Sequence, residues 1–318
     1  MSFAALRLMC ATAGKRCGDV CGIVGLFLKN ASLEKSLGTL LAPMLVSLSD
    51  RGPDSTGFAV YGTGMPDRTK LTLRGSIETD FDEIAAKLGR LTGDELTVTR
   101  RDTHAVIVVP SATADLVPSR LREIAPEIAV VGIGERMELY KEVGSPTEVT
   151  TRFALCEMSG THAIGHTRMA TESAVTTDGA HPFSTGSDQC LVHNGSLSNH
   201  NGVRRSLTRD GVSFRTENDT EVAAGYITWR MRQGLPLEGA LLAALNDLDG
   251  FYTFVVATAS GFAVLRDPIA CKPAVMVETD AYVAFGTEYR ALAELPGVQQ
   301  GHVFEPAPAK IYVWERRI

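Results

Sequence analysis

Three features are scarce or missing in this 318-residue chain, and each absence excludes a class of protein. No apolar run approaches the roughly 18 residues that span a bilayer as a helix, so no membrane helix is predicted. The net charge is -6, which gives no electrostatic reason to expect binding to nucleic acid or to an anionic membrane. Six cysteines in a chain of this length are too sparse for the disulfide framework of a small secreted domain.

The remaining composition is that of an ordinary globular protein. Apolar residues make up 44% of the chain and charged residues 21%. In the first twenty residues Arg7 interrupts the apolar run, and Lys15 and Arg16 follow it, which argues against a secretory signal. No second Cys/His pair stands near Cys17 and Cys21 at zinc-site spacing, so no metal site is predicted. We expect a reduced, cytoplasmic protein.

The spacing of apolar residues predicts a layered α+β core. Residues 21–28 form a short apolar run typical of a buried strand, and leucines from Leu33 to Leu48 recur at helical spacing, with Pro43 as a potential kink. The polar, turn-rich loop 50–57 follows. Beyond Thr161, strand pairs joined by short turns predict antiparallel sheets. The strands are predicted at 163–167, 189–193, 251–258, 262–266, 274–278, 282–286 and 311–314, and helices at 199–207, 219–231 and 237–248.

Residues 64–158 are predicted to be a separate α/β insertion. Its elements follow the order β-α-β-β-α-β, which is that of the ferredoxin-like, or split βαβ, arrangement; an irregular α/β insertion is an equal alternative. No chemical motif stands out in this segment, so we expect it to dock a partner or cover a site. The strands are predicted at 70–74, 96–100, 104–109 and 128–132, and the helices at 81–91 and 116–124.

Cys21 is the predicted nucleophile. A cysteine needs a neighbouring base to form its thiolate, and no histidine stands beside Cys21 along the chain. The free α-amino group of an N-terminal cysteine, with a pKa of about 8, would accept the thiol proton directly or through a water. This hypothesis requires that residues 1–20 be absent from the active protein. They would be a disordered extension, a cleaved propeptide or, as we favour, the product of a misassigned start upstream of Val20.

Several motifs, in order along the chain, resemble those of the class II glutamine amidotransferases, a group of N-terminal nucleophile hydrolases. The resemblance covers 21–63 and 159–295 and leaves the insertion outside; it implies one amidotransferase domain over 21–318 with a four-layer αββα sandwich. Cys271 and Lys272 depart from the family's pattern, and so does Glu172. The motifs are Cys21–Gly25, Arg51–Gly57, Gly165–Thr171, Ala180–Phe183, His193–Gly195, Glu217–Glu221, Arg266–Pro268 and Phe285–Glu288.

The resemblance also implies a role for individual residues. Cys21 would attack the side-chain amide carbon of glutamine, and the Asn194 amide and the Gly195 N–H would hold the resulting oxyanion. Arg168 would grip the α-carboxylate through its planar fork, and Asp219 would pair with the α-ammonium. Further substrate contacts are expected from Thr171 and His181, and organisation of the loop around the cysteine from Arg51 and Asp54.

Simpler interpretations remain open at this stage for several of these residues. Arg168 would be an ordinary salt-bridge arginine, and Asp219 or Thr220 only the N-cap of the following helix. The Asn194-Gly195 pair is by itself a hairpin-turn signal. The histidines of the motifs are expected to be satisfied core residues rather than bases: His166, His181 and His193.

The glutaminase would have to protect its product, because free ammonia protonates in water and is lost. The chain ends soon after Tyr289, without a synthase domain, so the acceptor site is expected on another subunit. The pattern resembles the stand-alone amidotransferase subunit of glutamate-synthase-like complexes, with N-methylglutamate synthase the nearest. That implies an FMN-binding synthase subunit and a β-helix-like subunit as partners. FMN, with an iron–sulfur cluster as a further candidate, would lie on those partners and no cofactor on this chain. The alternatives are a catalytically idle scaffold and an independent amidase.

Overall fold

A computed structural model of the chain describes residues 21–170 and 174–316. The expected N-terminal extension, residues 1–20, and the candidate substrate-binding residue Thr171 lie outside the described residues. None of the helices within the two described ranges is long and apolar enough to cross a membrane.

Single helices separate pairs of strands in the first half of the chain, whereas three successive helices and then six strands make up the second half. The helices are α1 (Leu37–Val46), α2 (Phe81–Thr92), α3 (Val117–Ile124), α4 (Pro146–Arg152), α5 (His200–Arg209), α6 (Asp219–Arg232) and α7 (Leu237–Asp247). The strands are β1 (Gly22–Leu28), β2 (Ser55–Tyr61), β3 (Arg68–Arg74), β4 (Thr97–Arg101), β5 (His104–Pro110), β6 (Ala129–Gly134), β7 (Met137–Val143), β8 (His162–Arg168), β9 (Phe183–Gly186), β10 (Gln189–Leu197), β11 (Gly250–Ala257), β12 (Gly261–Arg266), β13 (Val275–Glu278), β14 (Tyr282–Gly286), β15 (His302–Phe304) and β16 (Ile311–Glu315).

Strand β1 lies at the centre of a seven-stranded antiparallel sheet with the order β15-β13-β14-β1-β8-β2-β7. Its side chains alternate between two cores, as the strand period requires. Val24 and Leu26 pack in one core with Leu41 of α1, whereas Ile23 and Phe27 face the second sheet. Both faces of β1 are covered, which explains why this stretch of sequence is continuously apolar instead of alternating with polar residues.

The second sheet has five strands in the order β16-β12-β11-β10-β9. Val192 and Val255 of its inner face pack against the first sheet. Its outer face, including Leu191, is covered by α6 and α7 through residues such as Val222 and Leu241. The arrangement from outside to outside is helix, sheet, sheet, helix, which confirms the predicted α+β sandwich.

A third sheet of four strands, in the order β4-β5-β3-β6, forms a separate layer with α2 and α3. The chain order β3-α2-β4-β5-α3-β6 and the antiparallel pairing are those of the ferredoxin-like arrangement. We call residues 68–134 the inserted layer. It ends before the predicted limit at 158, because β7 pairs with β2 in the seven-stranded sheet and α4 follows it there.

Candidate active site

Cys21 and Arg168 are brought together by strand register. Cys21 directly precedes β1, and Arg168 ends β8. The antiparallel pairing of Gly22 with Thr167 places the two residues side by side where these neighbouring interior strands begin and end. Both line a cavity of about 700 Å³. The Cys21 thiol contacts the Met169 carbonyl oxygen, with the sulfur 3.8 Å from the oxygen. Two groups far apart in the sequence thus lie on one wall.

The Cys21 thiol is partly buried, and burial is the main influence on its acidity. It raises the pKa of the thiol above its ordinary value, while the positive charges of Arg168 and Lys272 offset part of the rise. Little thiolate therefore exists at neutral pH, and the sulfur needs a base when it attacks. His181 and His193 line the same cavity, but each directs a ring nitrogen at Thr220.

Thr220 is the centre of a buried histidine cluster. Its Oγ1 lies 2.7 Å from His181 Nε2 and 3.0 Å from His193 Nδ1. The His166 ring stacks on that of His181 with centroids 4.0 Å apart, and its Nε2 lies 3.0 Å from the His193 carbonyl oxygen. Burial lowers the pKa of His166 to about 3, and the pKa of His181 is lowered as well. Burial therefore keeps His166 and His181 neutral, and the cluster joins β8, β10 and α6. The sequence showed Thr220 only as a member of a motif and a potential helix cap.

Asn194 and Gly195 lie inside β10, opposite Thr253 and Tyr252 of β11. The hairpin-turn alternative for this pair is therefore wrong. The Asn194 side-chain amide donates a hydrogen bond to the Cys21 carbonyl oxygen at 3.0 Å, which links the two sheets beside the thiol. Gly195 has a φ of +150°, and a Cβ there would collide with the Phe251 carbonyl oxygen. Only glycine fits this position.

We expect Gly195→Ala to lower the free energy of unfolding by about 2 kcal/mol or more, since the change adds a steric clash to the strain of a positive φ. Urea denaturation of the purified variant would measure the loss. Gly211→Ala is the matched control: its φ is +85°, and an added Cβ would meet nothing within 4 Å. Equal losses in the two variants would show that the packing around Gly195 contributes nothing.

Asp219 is the first residue of α6, and the N-cap of that helix is Asn218, whose side chain accepts a hydrogen bond from the Thr220 N–H. The predictions of Asp219 or Thr220 as the N-cap are therefore wrong. Asp219 Oδ2 instead accepts a hydrogen bond from the Leu197 N–H at 2.9 Å, and Oδ1 lies 3.6 Å from His193 Nδ1. Burial would raise the pKa of Asp219, but the contacts with His193 and Leu197 outweigh it and hold the pKa at about 2. The cavity wall thus carries an ionised carboxylate.

Asp54 contacts the backbone next to the cysteine, Arg51 pairs with Glu288, and neither side chain lines the cavity. Glu288 is the last residue of the motif that begins within β14. Asp54 Oδ2 accepts a hydrogen bond from the Ala170 N–H at 2.7 Å, and the Asp54 N–H donates to the Arg168 carbonyl at 3.1 Å. Asp54 therefore fixes the backbone on both sides of the Met169 carbonyl that the thiol contacts.

Lys272 and Phe251 are among the cavity residues that were not predicted as site residues. Lys272 lines the cavity, and its Nζ lies 5.3 Å from the centre of the Phe251 ring, which also lines it. The sequence signal for Lys272 was its departure from the family's pattern after Arg266–Pro268. Within the described ranges no group of three or more His, Cys, Asp or Glu side chains is arranged to hold a metal ion.

The architecture is typical of one class of protein. A cysteine stands directly before the central strand of one sheet in an αββα sandwich, and its thiol faces a cavity between strand ends. That is the arrangement of the N-terminal nucleophile hydrolases, to which the sequence motifs pointed.

Comparison with known proteins specifies the family. A profile of the glutamine amidotransferase domain matches residues 154–309. The glutamine amidotransferase-like protein GlxB of Rhizobium meliloti (strain 1021) is 55% identical over 299 residues, which cover 94% of this chain and 99% of that protein. A putative glutamine amidotransferase of Methanothermobacter thermautotrophicus is 31% identical, over 92% of this chain and 99% of that protein. The chain belongs to the class II glutamine amidotransferases.

A solved structure confirms the fold. The glutamine phosphoribosylpyrophosphate amidotransferase from B. subtilis, complexed with ADP and GMP, superposes on 93% of this chain with a TM-score of 0.60 and 20% identity. The match covers 47% of that protein, so this chain spans about half its length.

Proposed function

We propose that this chain hydrolyses L-glutamine to glutamate and ammonia through a γ-glutamyl thioester on Cys21. The observation that carries the proposal is the content of one cavity, in which the Cys21 thiol meets a guanidinium, Arg168, and an ionised carboxylate, Asp219. A free α-amino acid presents a carboxylate and an ammonium, and the two fixed charges match them with opposite signs. A peptide bond would supply neither charge at these positions.

The reaction begins when the Cys21 sulfur attacks the side-chain amide carbon of glutamine. The α-amino group of an N-terminal Cys21 takes the thiol proton and passes it to the departing nitrogen. The carbon–nitrogen bond breaks as ammonia leaves, and water then cleaves the carbon–sulfur bond to give glutamate and the free thiol. The oxyanion of each tetrahedral intermediate is held by the Gly195 N–H and by Asn194. One amide proton of Asn194 is engaged by the Cys21 carbonyl, and the second remains for the substrate.

The product ammonia is delivered, in this proposal, to a partner synthase subunit of the glutamate-synthase type in the cytoplasm. N-methylglutamate synthase is the complex that the sequence motifs resemble most, with FMN, and an iron–sulfur cluster as a further candidate, on its other subunits. The proposal is supported by the chemistry of the product: free ammonia protonates in water and is lost as a nucleophile, so it has to reach its acceptor without entering the solvent. Purification from the native host tests it: a flavin-containing subunit should accompany the chain. A chain that purifies alone and releases all its ammonia to solvent would contradict the partnership.

The proposed pairing of Asp219 with the substrate ammonium can be tested by removing either of the two charges. Asp219→Asn keeps an acceptor for the Leu197 N–H but loses the negative charge that the substrate ammonium would meet. We expect KM for L-glutamine to rise about 10- to 100-fold, with a smaller change in kcat. The control is glutaramate, which is glutamine without its α-amino group; its kcat/KM should be the same for both enzymes. An equal loss with both substrates would show that Asp219 does not bind the ammonium.

A further inference from the structure

Two segments line one side of the glutamine cavity, and both are tied to the inserted layer. The first, residues 174–180, contributes Thr176 and Gly179 to the lining. The second, residues 215–218, contributes Thr216 and leads directly into Asp219. We call them the wall segments.

The first wall segment is held from the side of the inserted layer and of β7. Arg74, the last residue of β3, places its Nη2 2.9 Å from Asp178 Oδ1. Lys141 of β7 is buried and donates hydrogen bonds to the carbonyl oxygens of Asp178 at 3.1 Å and Ala180 at 2.8 Å. Thr177 Oγ1 also donates a hydrogen bond to the Glu142 carboxylate of β7. A segment held through two side chains and two carbonyls has little freedom to move independently of these strands.

The second wall segment meets the same carboxylate. Arg215 Nη2 lies 3.4 Å from Asp178 Oδ1, and Nη1 donates to the Val130 carbonyl oxygen of β6 at 2.8 Å. The backbone N–H groups of Arg215 and Thr216 both donate to the Glu221 carboxylate at 2.8 Å. Asp178 is therefore the point at which an arginine of the inserted layer and an arginine of the second wall segment converge.

Both wall segments adjoin the groups that would hold glutamine. A Cβ added at Gly179 would lie 3.3 Å from Arg168 Nη1, so the backbone of the first segment packs against the guanidinium. Thr216 is three residues from Asp219 in the second segment. A shift of either segment would move a wall of the pocket for the α-carboxylate or the α-ammonium.

We infer that Arg74, Asp178 and Arg215 are positioning residues through which the inserted layer sets the affinity of the cavity for glutamine. The inference rests on the proposed roles of Arg168 and Asp219. The side chains are 23% exposed for Arg74, 46% for Asp178 and 49% for Arg215. Ion pairs at such exposure contribute little to global stability. Their effect is therefore on the placement of the wall segments, with the fold left intact.

The test compares two arginines of the inserted layer. Arg74→Met keeps much of the side-chain length and removes the pair with Asp178. We expect KM for glutamine to rise about 3- to 10-fold, kcat to change less than about two-fold, and Arg74→Lys to restore most of the affinity. Arg120→Met is the control, because Arg120 forms an exposed pair with Glu123 on α3, away from the wall segments. Its KM should equal that of the wild type.

Hydrogen exchange provides a readout that needs no activity. Amides of residues 174–180 should exchange faster in Arg74→Met than in the wild type, and at the wild-type rate in Arg120→Met. Asp178→Asn should raise KM less in the Arg74→Met background than in the wild type, since only the contact with Arg215 is left to lose. Unchanged KM and exchange in Arg74→Met, or a KM change that merely follows a fall in Tm, would overturn the inference. A wild type without glutaminase activity would refute the proposed function. The exchange rates would still decide whether Arg74 holds the first wall segment in place.

Discussion

Replacing Cys21 by alanine is expected to lower kcat/KM for glutamine hydrolysis by about 10⁴-fold or more, because the covalent route is lost with the sulfur. The thiol faces the cavity beside Arg168, and no other described cysteine lines that cavity. Release of glutamate and ammonia by the purified variant measures the loss. Cys156→Ala is the matched control, since Cys156 is exposed and lies outside the cavity; it should retain full activity.

The same experiment separates the proposed mechanism from its alternatives. Equal activity in the wild type and Cys21→Ala would refute the thioester. Absence of activity in the wild type, even in its intact complex, would favour a scaffold role. A trapped covalent species should add the mass of a γ-glutamyl group to the peptide that contains Cys21, and the alanine variant should not carry it.

The proposed mechanism also predicts that activity depends on a free α-amino group at Cys21. Burial raises the pKa of the Cys21 thiol, so the sulfur needs a base, and the proposed mechanism assigns that role to the α-amino group of an N-terminal Cys21. A protein whose first residue is Cys21 should hydrolyse glutamine. A protein that retains residues 1–20 should not, because an acylated nitrogen is not a base. Intact mass identifies the form tested, and equal activity in both forms would refute this role of the amino group.

Acidification is expected to unfold the protein at a moderately low pH. Burial lowers the pKa of His104, His162 and His166 to about 3 in each case. In the unfolded chain these rings take up protons near their ordinary pKa of about 6.5. The unfolded state therefore binds more protons between about pH 6.5 and 3, and the free energy of unfolding falls as the pH decreases through that window.

The size of the effect follows from the number of rings. Each histidine contributes up to about 1.4 kcal/mol per pH unit, so three contribute on the order of 4 kcal/mol per unit below pH 6. A typical domain has a stability of about 5–15 kcal/mol. A slope of about 4 kcal/mol per unit removes on the order of 8 kcal/mol between pH 6 and pH 4, which is enough to unfold a domain in the lower half of that range. Asp219, with its pKa held at about 2, adds stability that is also lost as the pH falls below about 4. The two effects have the same sign.

Urea denaturation between pH 7.5 and 5 measures the slope, and one variant isolates a single ring. His104 packs against the rings of Tyr140 and Phe153 in the core, so His104→Phe should be tolerated. It should reduce the slope by up to about 1.4 kcal/mol per pH unit. His302→Gln is the control, because His302 is exposed; its slope should equal that of the wild type. A wild-type stability independent of pH from 7.5 to 5 would show that the buried rings are protonated in the folded state.

The apolar runs and the helical spacing of the sequence predicted the layered α+β core, and the family resemblance implied its four-layer αββα order. The sequence missed β7 for a physical reason: Met137–Val143 contains Glu138, Lys141 and Glu142, a pattern typical of a solvated strand. Lys141 is nevertheless buried, because carbonyl oxygens of residues 178 and 180 accept its hydrogen bonds. Those partners come from a distant segment, and no local pattern reveals them.

Contacts between distant segments also limited how much of the candidate site the sequence could predict. The proximity of Cys21 and Arg168 follows from the register of β1 with β8, which the sequence could suggest only through the family resemblance. The Asn194-Gly195 pair has the local signature of a turn, yet it lies within a strand because β11 pairs with it. The ion pair between Arg74 and Asp178 joins the end of β3 in the inserted layer to the first wall segment. Neither residue belongs to a motif, so no signal in the sequence pointed to their contact.

The place at which the inserted layer enters the seven-stranded sheet bears on the history of the fold. The chain leaves β2 at Tyr61 and returns to β7 at Met137, and these two residues are direct partners across the ladder. The Gly62 N–H donates to the Arg136 carbonyl at 3.0 Å, which extends the pairing by one step. The whole layer thus occupies the position of a hairpin turn. A short turn in its place would keep the register of β1, β2 and β8, so the insertion or removal of the layer as one unit is compatible with the seven-stranded sheet.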